Sequence, residues 1–322
     1  MFKGLSKLLI CGGYTHGSTT DTCEVISLHS SAITCKNTPK FPVTLKRAIG
    51  GLAFKETPII CGGEQNGTLS NRCYSLVNNQ WVSSAGMRSV RDRAAVAQLQ
   101  DGKLLVTGGL LNDYVILTTG LSESSTPLSS AEMLTEEGWK VNIPSLPVTF
   151  AGHCMVTVNS TTVMVIGGWQ GHFYSGKTFY LNIREERWTE GPELKKERFF
   201  HTCGKIKRDK ESQEMTIIVA GGENGAQYFT SVEILNEGSN EWQTGPELPL
   251  EVFEPQLIED QNGGVFLIGG ASIREDFSYI DTLYQLPYGG QDAVWTKMKQ
   301  KLNTARRFYT AFLVPDNIVE CS

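Results

Sequence analysis

ICGGYTHGSTTDTCEV, from Ile10 to Val25, and ICGGEQNGTLSNRCYSL, from Ile60 to Leu76, share one cysteine spacing. Each sets a cysteine directly before a Gly-Gly pair and, after nine intervening residues, a second cysteine. The Gly-Gly returns at the end of further apolar runs: LLVT before Gly108-Gly109, VMVI before Gly167-Gly168, IIVA before Gly221-Gly222 and VFLI before Gly269-Gly270. Successive pairs stand 46 to 59 residues apart. The runs are short, rich in β-branched residues and bounded by glycine, so they read as buried strands rather than helices.

A second apolar run follows each pair: CEVISL, CYSLV, AEMLT, FYLNI, VEILN and LYQLP. A tryptophan comes next in five units (Trp81, Trp139, Trp188, Trp242, Trp295), then a turn that often holds proline, then a strand leading to the next Gly-Gly. The unit is therefore four short strands with no helix between them. One such sheet cannot bury both faces alone, so copies must stack. The first unit carries Cys35 near the place of the tryptophan, and the third is lengthened by LLNDYVILTTGLSESSTPLSS.

The period, the Gly-Gly and the trailing tryptophan resemble the kelch repeat, in six copies spanning essentially the whole chain. The resemblance implies an all-β fold: a six-bladed β-propeller of four-stranded antiparallel blades in a single domain, 1–322. The blades are expected at 8–44 plus 306–322, then 45–89, 90–146, 147–194, 195–248 and 249–305. TARRFYTAFLVPDN aligns with LKRAIGGLAFKET, Arg307 set against Arg47. The C-terminal strand is thus expected to complete the N-terminal blade and remove an open sheet edge.

Composition narrows function by exclusion. A net charge of −5 over 322 residues gives no support to nucleic-acid binding. No apolar run approaches a membrane span, so no membrane insertion is expected. The start, MFKGLSKLLI, is too short in its apolar core for a signal peptide.

The repeats supply a control for the cysteines. Where two units have Cys11 and Cys61, the others have Thr107, Ile166, Ala220 and Ile268; where they have Cys23 and Cys73, the others have Ala131, Phe179, Val232 and Leu283. A unit has both cysteines or neither. The two positions end one strand and begin its antiparallel neighbour, where facing residues lie about 4.5–5.5 Å apart, within reach of a disulfide. Cys11–Cys23 and Cys61–Cys73 read as disulfides; buried free thiols are the alternative. Cys154 and Cys203 are expected to be free and buried on inner strands, and Cys35 with Cys321 to staple the closing blade. Disulfides and the sequons at Asn66 and Asn159 point to an extracellular, secreted protein; a cytoplasmic location is the alternative.

No catalytic motif is found. Aligned at one mouth stand Gly50, Val96, His153, His201, Pro255 and Tyr309. Kelch-like propellers include copper oxidases with His and Tyr ligands and sugar isomerases, so an enzyme is the third-ranked reading. A cytosolic kelch adaptor or actin-associated protein is the second. The first is a non-enzymatic interaction module with no metal or cofactor, binding a protein or glycan through its loop face. In such a blade, the loop after Gly-Gly and the loop entering the next inner strand share that face. The first loop set offers Trp169, His172, Phe173 and Tyr174 in one blade and Tyr228 and Phe229 in the next. The second offers Arg47, Arg93, Arg198 and Arg306, with Tyr309 beside them. Aromatic residues and arginine are the types enriched in binding hot spots, and an arginine-lined mouth suits a carboxylate-bearing ligand.

Overall fold

The structure is a computed structural model that describes residues 7–28, 38–99, 101–111, 116–117, 120–121, 126–273 and 278–318. Cys35 and Cys321 lie outside the described residues. The described residues hold no α-helix, only a 3-10 turn at Phe54–Glu56. No helix among them is long and apolar enough to cross a membrane.

The strands gather into antiparallel sheets in chain order. The first joins β1 (Lys7–Cys11) and β2 (Cys23–Ser27) to a strand from the far end of the chain. Four-stranded sheets follow: β3 (Ile49–Ala53), β4 (Thr57–Cys61), β5 (Cys73–Val77) and β6 (Gln80–Ser84); then β7 (Ala95–Gln98), β8 (Leu104–Thr107), β9 (Ala131–Thr135) and β10 (Gly138–Ile143). The next is β11 (Cys154–Thr157), β12 (Thr162–Trp169), β13 (Tyr174–Asn182) and β14 (Arg187–Glu190). Then come β15 (Thr202–Lys207), β16 (Met215–Ala220), β17 (Val232–Leu235) and β18 (Gln243–Thr244). Last are β19 (Gln256–Glu259), β20 (Val265–Ile268), β21 (Thr282–Leu286) and β22 (Thr296–Lys301). The far strand of the first sheet is β23 (Thr310–Val314), which pairs with β1 in a register running from Cys11↔Thr310 to Lys7↔Val314.

Second strands are buried along all or nearly all of their length, as in LLVT and VFLI, because both of their faces meet a neighbouring sheet. The core is therefore distributed between sheets: Ile206, Ile218, Val232 and Ile234 of one pack with Leu257, Val265 and Leu267 of the next.

The Gly-Gly pairs clasp these sheets together. All twelve glycines have φ between 51° and 114°, a region that disfavours any side chain with a Cβ. The second glycine of each pair donates its N–H to the segment entering the next inner strand: Gly13 to Leu45 O, Gly63 to Arg91 O, Gly109 to Phe150 O, Gly168 to Arg198 O, Gly222 to Val252 O and Gly270 to Arg306 O. A Cβ on Gly63 would stand 2.4 Å from the Lys46 carbonyl, so no other residue fits.

The tryptophans make a second set of ties. Indole Nε1 of Trp139, Trp188, Trp242 and Trp295 donates to the carbonyls of Ala85, Pro144, Pro192 and Pro246, each just beyond the preceding sheet.

Cys11 faces Cys23 and Cys61 faces Cys73 in strand register, with S–S separations of 1.93 and 2.02 Å. Cys154 and Cys203 correct the expectation of free thiols. They lie on β11 and β15, inner strands of neighbouring sheets, with sulfurs 2.14 Å apart. Their side chains meet across the seam between two repeats, which a comparison of equivalent positions within repeats does not reveal.

Candidate functional site

Each segment entering an inner strand first pairs with the residue just after a Gly-Gly: Lys46 with Glu64, Asp92 with Leu110, Ala151 with Trp169, Phe199 with Glu223, Phe253 with Ala271 and Arg307 with Tyr14. The next residue then turns through the left-handed region. These residues are Arg47 (φ 57°), Arg93 (φ 55°), Gly152 (φ 58°), Phe200 (φ 55°), Glu254 (φ 58°) and Phe308 (φ 59°). Five of the six carry a side chain, and that conformation persists only where the surroundings over-determine it. Backbone hydrogen bonds join them from sheet to sheet: Arg47 N donates to Phe308 O (2.7 Å), Gly152 N to Arg93 O (2.9 Å), Phe200 N to Gly152 O (3.0 Å) and Glu254 N to Phe200 O (2.8 Å). Residues up to 261 positions apart in the chain, such as Arg47 and Phe308, are thus gathered at one centre.

The side chains there are charged and aromatic. Buried Asp92 accepts from Arg47 Nε and from Arg93 Nη1, both at 2.8 Å. Arg47 Nη2 also donates to Glu64 Oε2 at 3.0 Å, and Lys46 Nζ lies 2.9 Å from Glu64 Oε1. The Arg47 guanidinium sits 5.4 Å from the Phe308 ring centre, that of Arg93 5.6 Å from Phe200, and that of Arg307 4.7 Å from Phe308. Phe200 and Phe308 meet edge to face at 5.8 Å. Arg307 is further enclosed by the rings of Tyr14 and Tyr279. Such cation–π contacts help hold a guanidinium in place.

Glu254 is the acidic member of this set. Its side chain is buried, and its Oε2 has no hydrogen-bond partner. Burial pushes its carboxyl up to about 8, against the pull of Arg307, Arg93 and Arg47 and with a smaller push from Glu223. Burial likewise raises Glu223 above the usual carboxylate range.

Residues 216–249 match the kelch motif model, a stretch that begins in β16 and runs past β18. That stretch carries a kelch motif. A solved structure titled "Structure of YjhT" is similar in fold, with a TM-score of 0.66 at 16% identity over 86% of this chain and 90% of that one. No curated protein matches the sequence.

The structure sorts the expected binding residues into three groups. Arg47 and Arg93 stand at the centre described above. Arg198 and Arg306 do not: both are fully buried structural clamps. Arg198 Nη1 donates to the carbonyls of Gly221 and Ser231 and Nη2 to Glu233 Oε1; Arg306 Nη1 donates to those of Gly12 and Thr22, with Nη2 2.9 Å from Glu24 Oε1. Arg91 does the same with Gly108, Ser130 and Glu132. Trp169 is buried against Leu110, Ala151 and Phe199, and Phe229 lies buried beneath Arg198 and Lys196. Tyr174 and Tyr228 are half-buried on Phe199 and Phe253. Only His172 and Phe173, at the β12–β13 hairpin tip, project outward, Phe173 with 57% of its surface exposed.

The mouth alignment of His153, His201 and Tyr309 with Gly50 and Val96 also needs correction. Strand register places Ala48 and Ala94 at that position. His153 Nε2 meets Thr107 Oγ1 at 2.9 Å, His201 Nε2 meets Ile166 O at 3.1 Å, and Tyr309 Oη donates to Ile268 O at 2.5 Å. Each partner stands just before the Gly-Gly of the preceding sheet, so the three are ties between sheets. Burial, reinforced by Arg91 and Arg198 respectively, holds both imidazoles down at about 3, and both are neutral. Among the described residues, no three His, Cys, Asp or Glu side chains cluster as metal ligands.

Asp92, Phe200, Glu254 and Phe308 were not singled out from sequence. The signal that finds them is positional: all but Asp92 sit two residues before an inner strand. Asn66, in a left-handed turn on the loop face, and Asn159, in the β11–β12 turn, are both exposed.

Proposed function

We propose that this chain is a six-bladed kelch propeller, closed by β23 beside β1, and that it acts as a non-enzymatic binding module. Its ligand is a carboxylate-bearing protein or glycan, held at the centre of the loop face. The observation that carries this reading is the convergence there of Arg47, Arg93 and Arg307 with the rings of Phe200 and Phe308. Arginine on an aromatic platform supplies oriented donors at low entropic cost, the composition of a hot spot. Six Gly-Gly clasps, running from each sheet to the next and from the last to Arg306, support closure.

The setting is extracellular. Three cysteine pairs at bonding distance suit an oxidising compartment, and both sequon asparagines are open to modification.

The test is a binding screen of secreted protein on matched arrays of acidic peptides and acidic glycans, each beside its amidated counterpart. Binding to carboxylated probes that vanishes on amidation is expected. Equal binding to both forms, or chemical turnover of a probe, overturns the reading.

A further inference from the structure

Among the buried polar atoms at the centre of the loop face that lack a hydrogen-bond partner are Glu254 Oε2 and Arg307 Nε. Arg47, Arg93 and Lys46 have carboxylate partners there. Asp92 takes Arg47 and Arg93, and Glu64 takes Arg47 and Lys46. Burying such an atom without a partner costs about 1–3 kcal/mol, more for a charged group. Glu254 Oε2 and Arg307 Nε together at one site, on residues held by left-handed backbone or by stacking on three rings, mark a place prepared for something else.

The chemistry of the missing partner follows from the two atoms. Arg307 Nε–H can only donate. Glu254 faces Arg307 from the segment entering β23, Arg93 and Arg47 from those entering β7 and β3, Glu223 from the loop after β16, and Tyr228 beyond it. Even among three guanidiniums its burial keeps the proton on at neutral pH, so Oε2 can act as an O–H donor. Two convergent donors call for a group with two acceptors.

We propose that Arg307 and Glu254 together form a cradle for a single carboxylate, the guanidinium donating to one oxygen and the glutamic acid to the other. This rests on the carboxylate-binding reading above and adds to it a residue that sets specificity. Glu254 recognises the carboxylate as an acid, so binding is linked to its proton. The carboxylate comes either from a small free acid or from an Asp or Glu side chain of a partner protein; Phe200 and Phe308 offer apolar surface to the carbon that bears it.

Saturation-transfer NMR titrations with acetate and with N-acetyl-glutamate amide, at pH 6.5 and pH 9, test the proposal. Both probes remain ionised throughout, so a change in affinity belongs to the protein. Binding is expected at pH 6.5 and to weaken at least about fivefold at pH 9, where Glu254 ionises and its donor is lost. Glu254→Gln keeps an N–H donor and should bind with no such pH dependence. Glu254→Met and Arg307→Leu should each lose about tenfold or more in affinity, with unfolding midpoints confirming that they fold. Preference for the glutamate amide assigns the site to a protein side chain, and equal binding assigns it to small acids. Carboxylate binding that ignores pH and survives Glu254→Met overturns the cradle while leaving the broader reading intact. If no carboxylate binds to the wild-type protein, both fall.

Discussion

Arg198 Nη2 lies 2.7 Å from Glu233 Oε1, with neither side chain reaching solvent. Glu233 also accepts from the backbone N–H of Lys195 and Lys196, so the pair binds the segment entering β15 to β17 of the same sheet. Arg91 with Glu132 and Arg306 with Glu24 repeat the device, while Leu45, Phe150 and Val252 occupy the same place in the intervening sheets. Clamps of buried charge thus alternate with apolar plugs.

Removing one partner strands the other. Arg198→Met should destabilise by about 3–5 kcal/mol, since Glu233 and two backbone carbonyls lose their donors together. Urea denaturation should show the midpoint fall with an unchanged slope. A loss below 1 kcal/mol would mean the clamp is ornamental to stability.

A smaller effect is expected of the indole ties. Trp242 is fully buried and donates to the Pro192 carbonyl, which also accepts from Thr178 Oγ1. Trp242→Phe keeps most of the apolar surface and leaves that carbonyl one donor, so the cost should be about 1 kcal/mol. Trp242→Ala adds a cavity and should cost about 3–5 kcal/mol. The same denaturation experiment separates the two.

Strands were legible in the sequence because burial on both faces writes unbroken apolar runs such as VMVI and IIVA. The Gly-Gly pairs were legible because only glycine fits a left-handed clasp under a neighbouring carbonyl. The centre of the loop face was harder to read, since residues such as Arg93, Phe200 and Glu254 share a backbone position and no side-chain type. Arginines misled for the opposite reason: Arg198 and Arg93 look alike in sequence, yet one sits four and the other two residues before its inner strand. In a strand-entry segment that difference moves the guanidinium from a clamp within the sheet to the centre of the loop face. The Cys154–Cys203 pairing crosses between repeats, and no within-repeat pattern encodes it.

Acid should expose the two buried histidines. In the folded protein His153 and His201 take a proton only near about 3, against 6.5 for an unperturbed imidazole. Between those values the unfolded chain binds more protons than the folded one, so stability is full above about pH 6.5 and declines as pH falls towards 3. Carboxylates with raised values, Glu254 among them, act in the other direction, so the histidine contribution is read as a difference between variants. His201→Gln can retain a donor to the Ile166 carbonyl. Its melting temperature should fall less than that of the wild type between pH 6.5 and pH 4.5, and parallel slopes would mean that His201 titrates alike in the folded and the unfolded chain.

The cysteines allow the fold and the compartment to be tested in one experiment. Alkylation under denaturing, non-reducing conditions, followed by peptide mass mapping of secreted protein, should recover Cys11–Cys23, Cys61–Cys73 and Cys154–Cys203 as linked pairs. The first two close short loops within a sheet and should each contribute about 3 kcal/mol by the chain-entropy estimate, and the third, spanning a longer loop, about 4 kcal/mol. Cys154→Ala with Cys203→Ala should therefore destabilise more than loss of either pair within a sheet. That order is a strong check, because only the third link joins one sheet to the next. Recovery of Cys154 and Cys203 as free thiols beside intact Cys11–Cys23 and Cys61–Cys73 would leave the sheets standing but remove the covalent seam between β11 and β15. If all of these thiols are free, the argument for an oxidising compartment fails with them.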